Sequence, residues 1–329
     1  MTESQNNTKS QPQMTVQMDR KKRLARSFKR NILSNWGLYL MYVPGFLCLL
    51  VFSYAPLYGL QLAFKQYAPA LGIWGSPWVG WENFQYAVLS RGFLHMVGNT
   101  LMLGLLKIIF AFPSSIILAL MMNELTCRPF KKVVQTFSYL PYFISWVIVS
   151  SIANMFLTRD GGILNQIIVA FGGEKIFWYA EPKYWRAILT ISNIWKNTGW
   201  GTIVFLAALT GINQDLYEAA QCDGAGYWKR CLHITIPGIM PAIAMTFILS
   251  VAGIVKDDFD QIYALVGESS ILNDTTEVLG TWIYKQLHGG SFRAWGDGTA
   301  VGLVQSLAGF LLIVISNWLV SKTDNQGLW

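Results

Sequence analysis

Residues 218–241 read EAAQCDGAGYWKRCLHITIPGIMP and lie between two long apolar stretches of the chain. The pattern predicts a helix, a turn and a second helix. Asp215, with Glu218 three residues later, fits an N-cap and a loose capping box. Pro237 and Pro241 end the second helix where the chain re-enters an apolar run. Small residues allow the turn and would let another backbone approach closely. They are Ala219, Ala220, Gly224, Ala225 and Gly226.

The composition places this loop in a membrane protein. Hydrophobic residues make up 53% of the 329 residues and charged residues 13%, whereas soluble proteins carry roughly 25% charged residues. The same numbers exclude intrinsic disorder. A helix needs about 20 mostly apolar residues to cross a bilayer. Six runs meet this requirement, at 36–61, 96–122, 137–157, 187–212, 238–256 and 299–320.

The basic residues indicate orientation rather than nucleic-acid binding. Eight of the 25 Lys and Arg residues lie in the first 30 residues, which is typical of a cytoplasmic flank beside a first span. With the N-terminus inside, the inner segments carry 14 Lys and Arg residues and the outer loops carry 8. Both ends are therefore expected in the cytoplasm. The domain plan is a basic tail over 1–35, a membrane domain over 36–320 with a loop at 213–237, and a tail over 321–329.

Tryptophan is concentrated in the long loops expected outside the membrane, near 65–95, 158–186 and 257–298. One interpretation is an aromatic belt at the membrane–water interface, and the alternative is a surface for a partner or a sugar. The residues concerned are Trp74, Trp78, Trp81, Trp178, Trp185, Trp282 and Trp295.

Ionisable residues inside the predicted spans are candidate functional groups, because a charge in a bilayer is costly. Lys196 and Asn197, together with Trp200, offer an amino group, an amide and an aromatic face, which suit a sugar with hydroxyls or carboxylates. The alternative is a polar cluster that packs helices. Lys107 also interrupts a span, where a structural role is favoured.

The end of the fifth span carries a second group of candidates. Asp260 and Tyr263 line an outward cavity in one interpretation and belong to a wet helix end in another. A proton or sodium relay, as in a secondary transporter, is the third. Tyr284 is a candidate for stacking on a sugar ring, or else an interfacial aromatic.

Several catalytic functions are excluded. No Lys follows a Gly anywhere in the chain, so a Walker A motif is absent and ATP hydrolysis by that route cannot occur. The four cysteines form no CxxC pair, and the three histidines fall in loops or at span edges. We therefore expect neither a metal site nor a nucleophile–base pair, and a non-catalytic role.

The stretch at 218–241 resembles the EAA signature of permease subunits of ATP-binding-cassette (ABC) importers. That signature has Glu-Ala-Ala, a nearby Gly, and a later Ile and Pro. This chain supplies them as Glu218, Ala219, Ala220, Gly224, Ile234 and Pro237. The carbohydrate version adds Asp223 and Ala225 around Gly224. Cys231 departs from the usual bulky aromatic and Ile236 from the usual Leu.

Other stretches extend the resemblance over roughly 36–320. Residues 78–84, WVGWENF, resemble the segment before the second span, and Asn99-Thr100 resembles the pair that opens it. The chain thus resembles carbohydrate-uptake permeases of the maltose-transporter type, in the branch for oligosaccharides such as alginate or pectin fragments. The branch is indicated by residues 140–146, 160–165, 258–263 and 299–303.

The resemblance implies an all-α fold of six transmembrane helices, the type I ABC importer permease fold, in the bacterial inner membrane. It implies that Glu218 to Ala225 dock as a coupling helix on an ATPase dimer, which holds the ATP and Mg. The other implied partners are a second, related permease subunit and an extracellular sugar-binding protein. The alternative from the residues is an ion-coupled secondary sugar transporter.

Overall fold

The computed structural model describes residues 35–90, 92–289 and 292–322. This part of the chain is helical and has no strand beyond an isolated bridge between Lys65 and Trp78. Its longer helices, in chain order, are α1 Trp36–Phe64, α2 Glu82–Leu89, α3 Phe93–Asn123, α4 Arg128–Phe143, α5 Trp146–Leu157, α6 Ile163–Ala170, α7 Trp185–Thr210, α8 Gln214–Cys222, α9 Tyr227–Gly238, α10 Met240–Ala252, α11 Phe259–Val266, α12 Leu279–His288 and α13 Arg293–Ser321.

The chain divides into two units, Met1–Leu60 and Gln61–Trp329. In the first, the described part is the apolar body of α1, and none of the residues in its Trp36–Leu49 segment is buried. The second unit contains the helices from α2 onward. The expected tails at 1–35 and 321–329 lie almost wholly outside the described residues.

Three helices in the described part of the chain are long and apolar enough to cross a membrane, namely α1, α3 and α13. Two bent pairs also qualify if each pair is one span: α4 with α5, bent by 102°, and α9 with α10, bent by 64°. The run predicted as one span at 137–157 is therefore two helices, and the predicted run at 238–256 covers only the second arm of its pair. The all-α fold class is confirmed.

Helix α7 holds the predicted fourth run, 187–212, and is more polar than the others because its buried face carries polar residues. Asn193, Lys196, Gly199 and Thr202 are buried and recur every third position. Residues spaced by three lie on one face of a helix. This helix has 26 residues and is long enough to span, yet its polar face keeps it from meeting the apolarity of the other candidates.

Small residues on α7 let its neighbours approach closely. A Cβ at Gly199 would overlap the carbonyl oxygen of Ser138 on α4, and a Cβ at Gly201 would lie 2.6 Å from the Oγ of Ser115 on α3. Below this point, Phe205 and Leu209 of α7 pack with other buried apolar side chains. Helix α7 therefore forms the centre against which α3 and α4 are placed.

Two of the tryptophans assigned to loops are core residues instead of belt residues. Trp185 is fully buried and packs with Leu103 and Leu265 in one cluster. Trp282 is buried in a second cluster with Met96 and Val301. The interfacial interpretation is wrong for both, whereas Trp74 is 80% exposed. Tertiary packing of the segments between the predicted spans decided the difference.

Buried asparagines fasten the segments between helices. The Asn83 amide donates to the carbonyls of Leu62, Ala63 and Lys65 at 3.3, 3.0 and 2.9 Å. Asn165 likewise donates to three carbonyls, including that of Ile176 at 3.0 Å. These residues stand in the stretches that carry the resemblance, and their amides donate to backbone carbonyls at a helix end and in the segments between helices.

We expect Asn83→Ala to lower the free energy of unfolding by about 2 kcal/mol, because the buried carbonyls of Ala63 and Lys65 lose the Asn83 donor. Thermal unfolding of the purified protein in detergent measures this. The matched control is Gln85→Ala, an exposed position on the same helix. Equal melting temperatures for the two variants would contradict the role given to Asn83.

Candidate functional site

The loop at 213–237 begins with a capped, exposed helix. The side chain of Asn213 accepts a hydrogen bond from the backbone N–H of Asp215 at 3.0 Å, and α8 starts at the next residue, Gln214. The prediction of Asp215 as the N-cap is therefore wrong by two residues. Asn213 has the extended backbone that an N-cap requires. Asp215 lies in the first turn, where its negative charge suits the helix dipole.

Helix α8 ends in a Schellman motif centred on Gly224. The N–H of Ala225 donates to the carbonyl of Ala220 at 2.8 Å, and the N–H of Gly224 donates to that of Gln221 at 3.0 Å. Gly224 has a φ of +70°, in the left-handed region that glycine tolerates best. The Gly of the signature is thus required by the turn that stops this helix.

One face of α8 is held and the other is free. The hydroxyl of Tyr217 lies 3.0 Å from that of the buried Thr235, which ties α8 to α9. On the free face Glu218 and Ala219 are exposed. The carboxylate of Glu218 has no hydrogen bond or ion pair in the part of the chain that the structure describes. The same loop exposes two large apolar side chains, Leu216 at 52% and Trp228 at 73%.

The second half of the signature lies at the bend between α9 and α10. Ile234 is half-buried, and Pro237 opens the short Ile236–Gly238 turn just before the 64° bend. Ile239, at the bend, is fully buried against Phe205 and Leu209 of α7. The loop therefore begins with an exposed helix and leads to a buried residue, Ile239, that packs against α7.

A cavity of ≈ 500 Å³ lies between α3, α7 and α10. Two of the predicted substrate candidates, Asn197 and Trp200, line it. The ring of Tyr142 stacks on that of Trp200, with centroids 4.4 Å apart and planes inclined by 4°. The cavity also has polar and charged lining groups, namely Lys107, Ser115, Thr198, Thr246, Ser250, Lys256 and Asp258.

Lys196 does not line this cavity. Its ammonium donates to the carbonyls of Pro141 at 3.1 Å and Tyr142 at 2.8 Å, and also to that of Ile144. These carbonyls lie where α4 breaks from α5. The geometry supports the helix-packing interpretation of Lys196 over the prediction that it contacts substrate.

An ion pair that the sequence does not reveal joins two residues that line the cavity. The Nζ of Lys107 lies 2.6 Å from the Oδ2 of Asp258, 151 residues further along the chain. Asn193 donates to the same oxygen at 3.1 Å and to Gln261 at 3.2 Å. A lysine within a span indicates that an acidic partner lies nearby, because an unpaired charge in a bilayer is costly. The sequence alone does not identify Asp258, rather than a neighbouring acid, as the partner of Lys107.

The remaining candidates form a separate aromatic group outside the cavity. Tyr263 and Tyr284 have ring centroids 4.6 Å apart, and Asp260 is exposed in the first turn of α11. Hydrogen bonding to Tyr284 and burial raise the pKa of Tyr263 to about 12. The structure brings Tyr263 and Tyr284 together, but it does not bring them to Asn197 and Trp200.

In the residues that the structure describes, the chain combines apolar helices, an exposed loop helix and a cavity between helices, an arrangement that is typical of transport components. Residues 111–323 match the family described as binding-protein-dependent transport system inner membrane component. The chain belongs to this family. Membership confirms the predicted transport function as a permease component and the absence of an enzymatic role of its own.

Relatives of known sequence cover most of the chain. Protein LplB of Bacillus subtilis is 40% identical over 89% of this chain and 91% of its own length. The polygalacturonan/rhamnogalacturonan transport system permease protein YteP of the same organism is 39% identical over 89% of this chain and 90% of its own length. The resemblance to permeases of carbohydrate ABC importers is therefore confirmed.

Solved structures agree with the fold. A chain of the bacterial alginate ABC transporter, crystallised in complex with an alginate pentasaccharide-bound periplasmic protein, superposes with a TM-score of 0.81. The two chains share 34% identity, and the match covers 91% of this chain and 99% of the alginate transporter chain. A second structure, of a bacterial ABC transporter involved in import of the acidic polysaccharide alginate, gives a TM-score of 0.80 at 35% identity.

We expect Gly224→Ala to loosen the end of α8, because an alanine at φ +70° is strained by about 1–2 kcal/mol. Amide hydrogen exchange at Ala225 should speed up roughly tenfold, the factor that 1.4 kcal/mol gives. Gly226→Ala is the matched control, since Gly226 has a φ of −69° and open space around it. Equal exchange in both variants would contradict the turn geometry as the reason for this glycine.

Proposed function

We propose that the chain is the permease subunit of an ATP-driven, binding-protein-dependent importer of oligosaccharides, with several spans and both ends in the cytoplasm. The observation that carries the proposal is the exposed, rigidly capped α8 with the free carboxylate of Glu218. The backbone groups at both ends of this helix are hydrogen-bonded, and its outer face has no partner among the described residues. Such a face offers a surface for docking on another protein. The segments on this side of the predicted spans carry more Lys and Arg than the segments on the other side. This excess supports a cytoplasmic position for this face.

The proposed partner at this face is an ATPase dimer that holds ATP and Mg. Ala219 and Ala220 keep the helix surface low, and Asp223 and Ala225 continue it around the turn. ATP-driven closure of the dimer would move α8, and the link through Tyr217 and Thr235 would pass that movement to α9. A second, related permease subunit and an external sugar-binding protein complete the proposed assembly.

The proposed substrate is an oligosaccharide that carries carboxylates. Lys107 and Asp258 neutralise one another, whereas Lys256 is an exposed cavity cation that has no ion pair among the described residues. Trp200 and Tyr142 supply an aromatic wall. The cavity falls within the usual range for small-molecule sites, about 300–1,000 Å³. Two relatives whose names mention alginate or polygalacturonan support the acidic class.

The alternative, an ion-coupled secondary transporter, is not favoured. The acid that lines the cavity, Asp258, is paired with Lys107 and accepts from Asn193. An acid in that state is a poor carrier for a proton or sodium ion. Membership of the binding-protein-dependent family also favours ATP-driven import.

The test of the proposal is reconstitution of the copurified complex in liposomes with its binding protein and candidate oligosaccharides. We expect ATP hydrolysis to rise only when the binding protein is loaded, and uptake to require ATP. Uptake that follows an ion gradient without ATP would overturn the proposal.

We expect Glu218→Lys to reduce substrate-stimulated ATP hydrolysis roughly tenfold, the factor for losing about 1.4 kcal/mol at a docking contact. The chain should still be inserted and should still bind its permease partner, because the Glu218 side chain makes no contact that holds the fold. Glu174→Lys is the matched control, an exposed acid outside the loop. Unchanged stimulation in Glu218→Lys would remove Glu218 from the docking face.

We expect Lys256→Met to lower transport of an oligogalacturonide roughly fivefold relative to a neutral oligosaccharide of equal length, since an exposed charge pair contributes up to about 1 kcal/mol. The control is Lys183→Met, an outer lysine whose side chain is 65% exposed. The two transport rates are measured in the same liposomes. Loss of both rates to the same extent would contradict a charge-specific role.

A further inference from the structure

The ammonium of Lys196 closes the C-terminal end of α4. The last carbonyls of a helix have no partner within it and carry the negative end of its dipole. Lys196 has three N–H donors, and each is used by one carbonyl, that of Pro141, Tyr142 or Ile144. Immediately afterwards the chain turns by 102°, and Ser145 caps the start of α5.

A second contact one turn away fixes the same two helices. Gly199 brings α7 directly against the backbone of α4 at Ser138, with no room for a Cβ. Lys196 and Gly199 lie on the same buried face of α7. Helix α4 therefore cannot shift along α7 without breaking the close approach, and it cannot rotate without withdrawing its carbonyls from Lys196.

The residue that Lys196 holds by its backbone is also part of the cavity wall. Tyr142 gives its carbonyl to Lys196 at 2.8 Å, and its ring stacks on Trp200 at 4.4 Å. Phe143 meets the same indole edge-on, with centroids 5.9 Å apart. The ammonium itself lies 5.6 Å from the centroid of Tyr142 and 5.4 Å from that of Trp146.

We propose that Lys196 is a positioning residue that sets the selectivity of the cavity by holding the ring of Tyr142 on Trp200, without touching the substrate. This inference rests on the proposed function, because it takes the cavity as the path of the oligosaccharide. The ammonium of Lys196 is hydrogen-bonded to the carbonyls at the end of α4. Lys196 therefore affects the substrate through the stacked rings of Tyr142 and Trp200.

The geometry explains why this position takes lysine. An ammonium can direct three donors towards three converging carbonyls, whereas a guanidinium presents its donors in a rigid plane on a bulkier head. Arginine keeps the charge and the capacity to donate, but it displaces the carbonyl of Tyr142 and with it the ring. Methionine keeps the unbranched shape of lysine, is one heavy atom shorter, and offers no donor at all.

The experiment uses the assembled complex with Lys196→Arg, Lys196→Met, Tyr142→Leu and the double variant Lys196→Arg/Tyr142→Leu. Lys132→Met, which removes an exposed charge from α4, is the matched control. The first readout is an electron cryo-microscopy structure of each complex, which gives the separation of the Tyr142 and Trp200 rings. The second is the ratio of transport rates for an alginate disaccharide and an alginate pentasaccharide.

We expect the rings to separate in Lys196→Arg and the transport ratio to change roughly tenfold, which corresponds to about 1.4 kcal/mol. The double variant should match Tyr142→Leu, because residues that act through one another are not additive. A general loss of stability would lower both rates together and leave their ratio unchanged. Lys196→Met is expected to move the rings further, and if it fails to assemble, Lys196→Arg decides.

Stacked rings in Lys196→Arg, together with a wild-type transport ratio, would overturn the inference. Additive effects in the double variant would also overturn it, since they would give Lys196 a route of its own to the substrate. If the wild-type complex transports neither probe but the rings separate in Lys196→Arg, the positioning role stands and the proposed substrate class fails.

Discussion

Inside a bilayer no water is present to pair a carbonyl that a broken helix leaves free, so each break must bring its own donor. The structure meets this constraint at the 102° bend where α4 turns into α5 and Lys196 donates to three carbonyls. The bend lets α5 pack against α6 and α11, and it brings Tyr142 to the cavity. Without the donor, the same backbone would have to straighten or take up water.

The same constraint explains polar residues that look misplaced in an apolar chain. Asn83 donates to carbonyls at the end of α1, and Asn165 donates to carbonyls of the segments that flank α6. The ion pair of Lys107 and Asp258 is joined by Asn193, so that neither charge is left alone. This ion pair is only partly buried, and partly exposed pairs contribute about 0–1 kcal/mol of stability. Its position on the cavity wall is therefore better explained by function or by selection of one packing arrangement.

The sequence was sufficient for features that depend on local chemistry. The apolar runs predicted the helices, and the small residues around Gly224 predicted the turn. The glycine has a left-handed backbone as such a turn demands. The placing of the N-cap failed by two residues, because Asn213 and Asp215 are both good capping residues and the packing of α7 decided where the chain leaves the core.

Features that need a distant partner could not be predicted. Lys196 suits a sugar as well as it suits three carbonyls, and only the break at 144–145 decides between them. That break was hidden within a run that was apolar enough to be one span. Similarly, the placement of Tyr263 and Tyr284 on the outer side stays a prediction, and their separation from the cavity that Trp200 lines depends on how α11 and α12 pack.

Helix α7 connects the two candidate sites physically. It carries Trp200 on the cavity wall and continues without a break to Thr210, and α8 begins four residues later at Gln214. Its lower part packs against Ile239 at the bend of α9 and α10. A rigid helix transmits displacement between its ends, and coupling needs an element with two arrangements that both sites bias. With α4 fixed to α7 by Lys196 and Gly199, the unit that a docked partner would move includes the aromatic wall as well as α7. Under the proposed function, the loop and the cavity are two ends of one rigid unit, and a docked ATPase would alternate access by moving this unit against the other helices of the second unit.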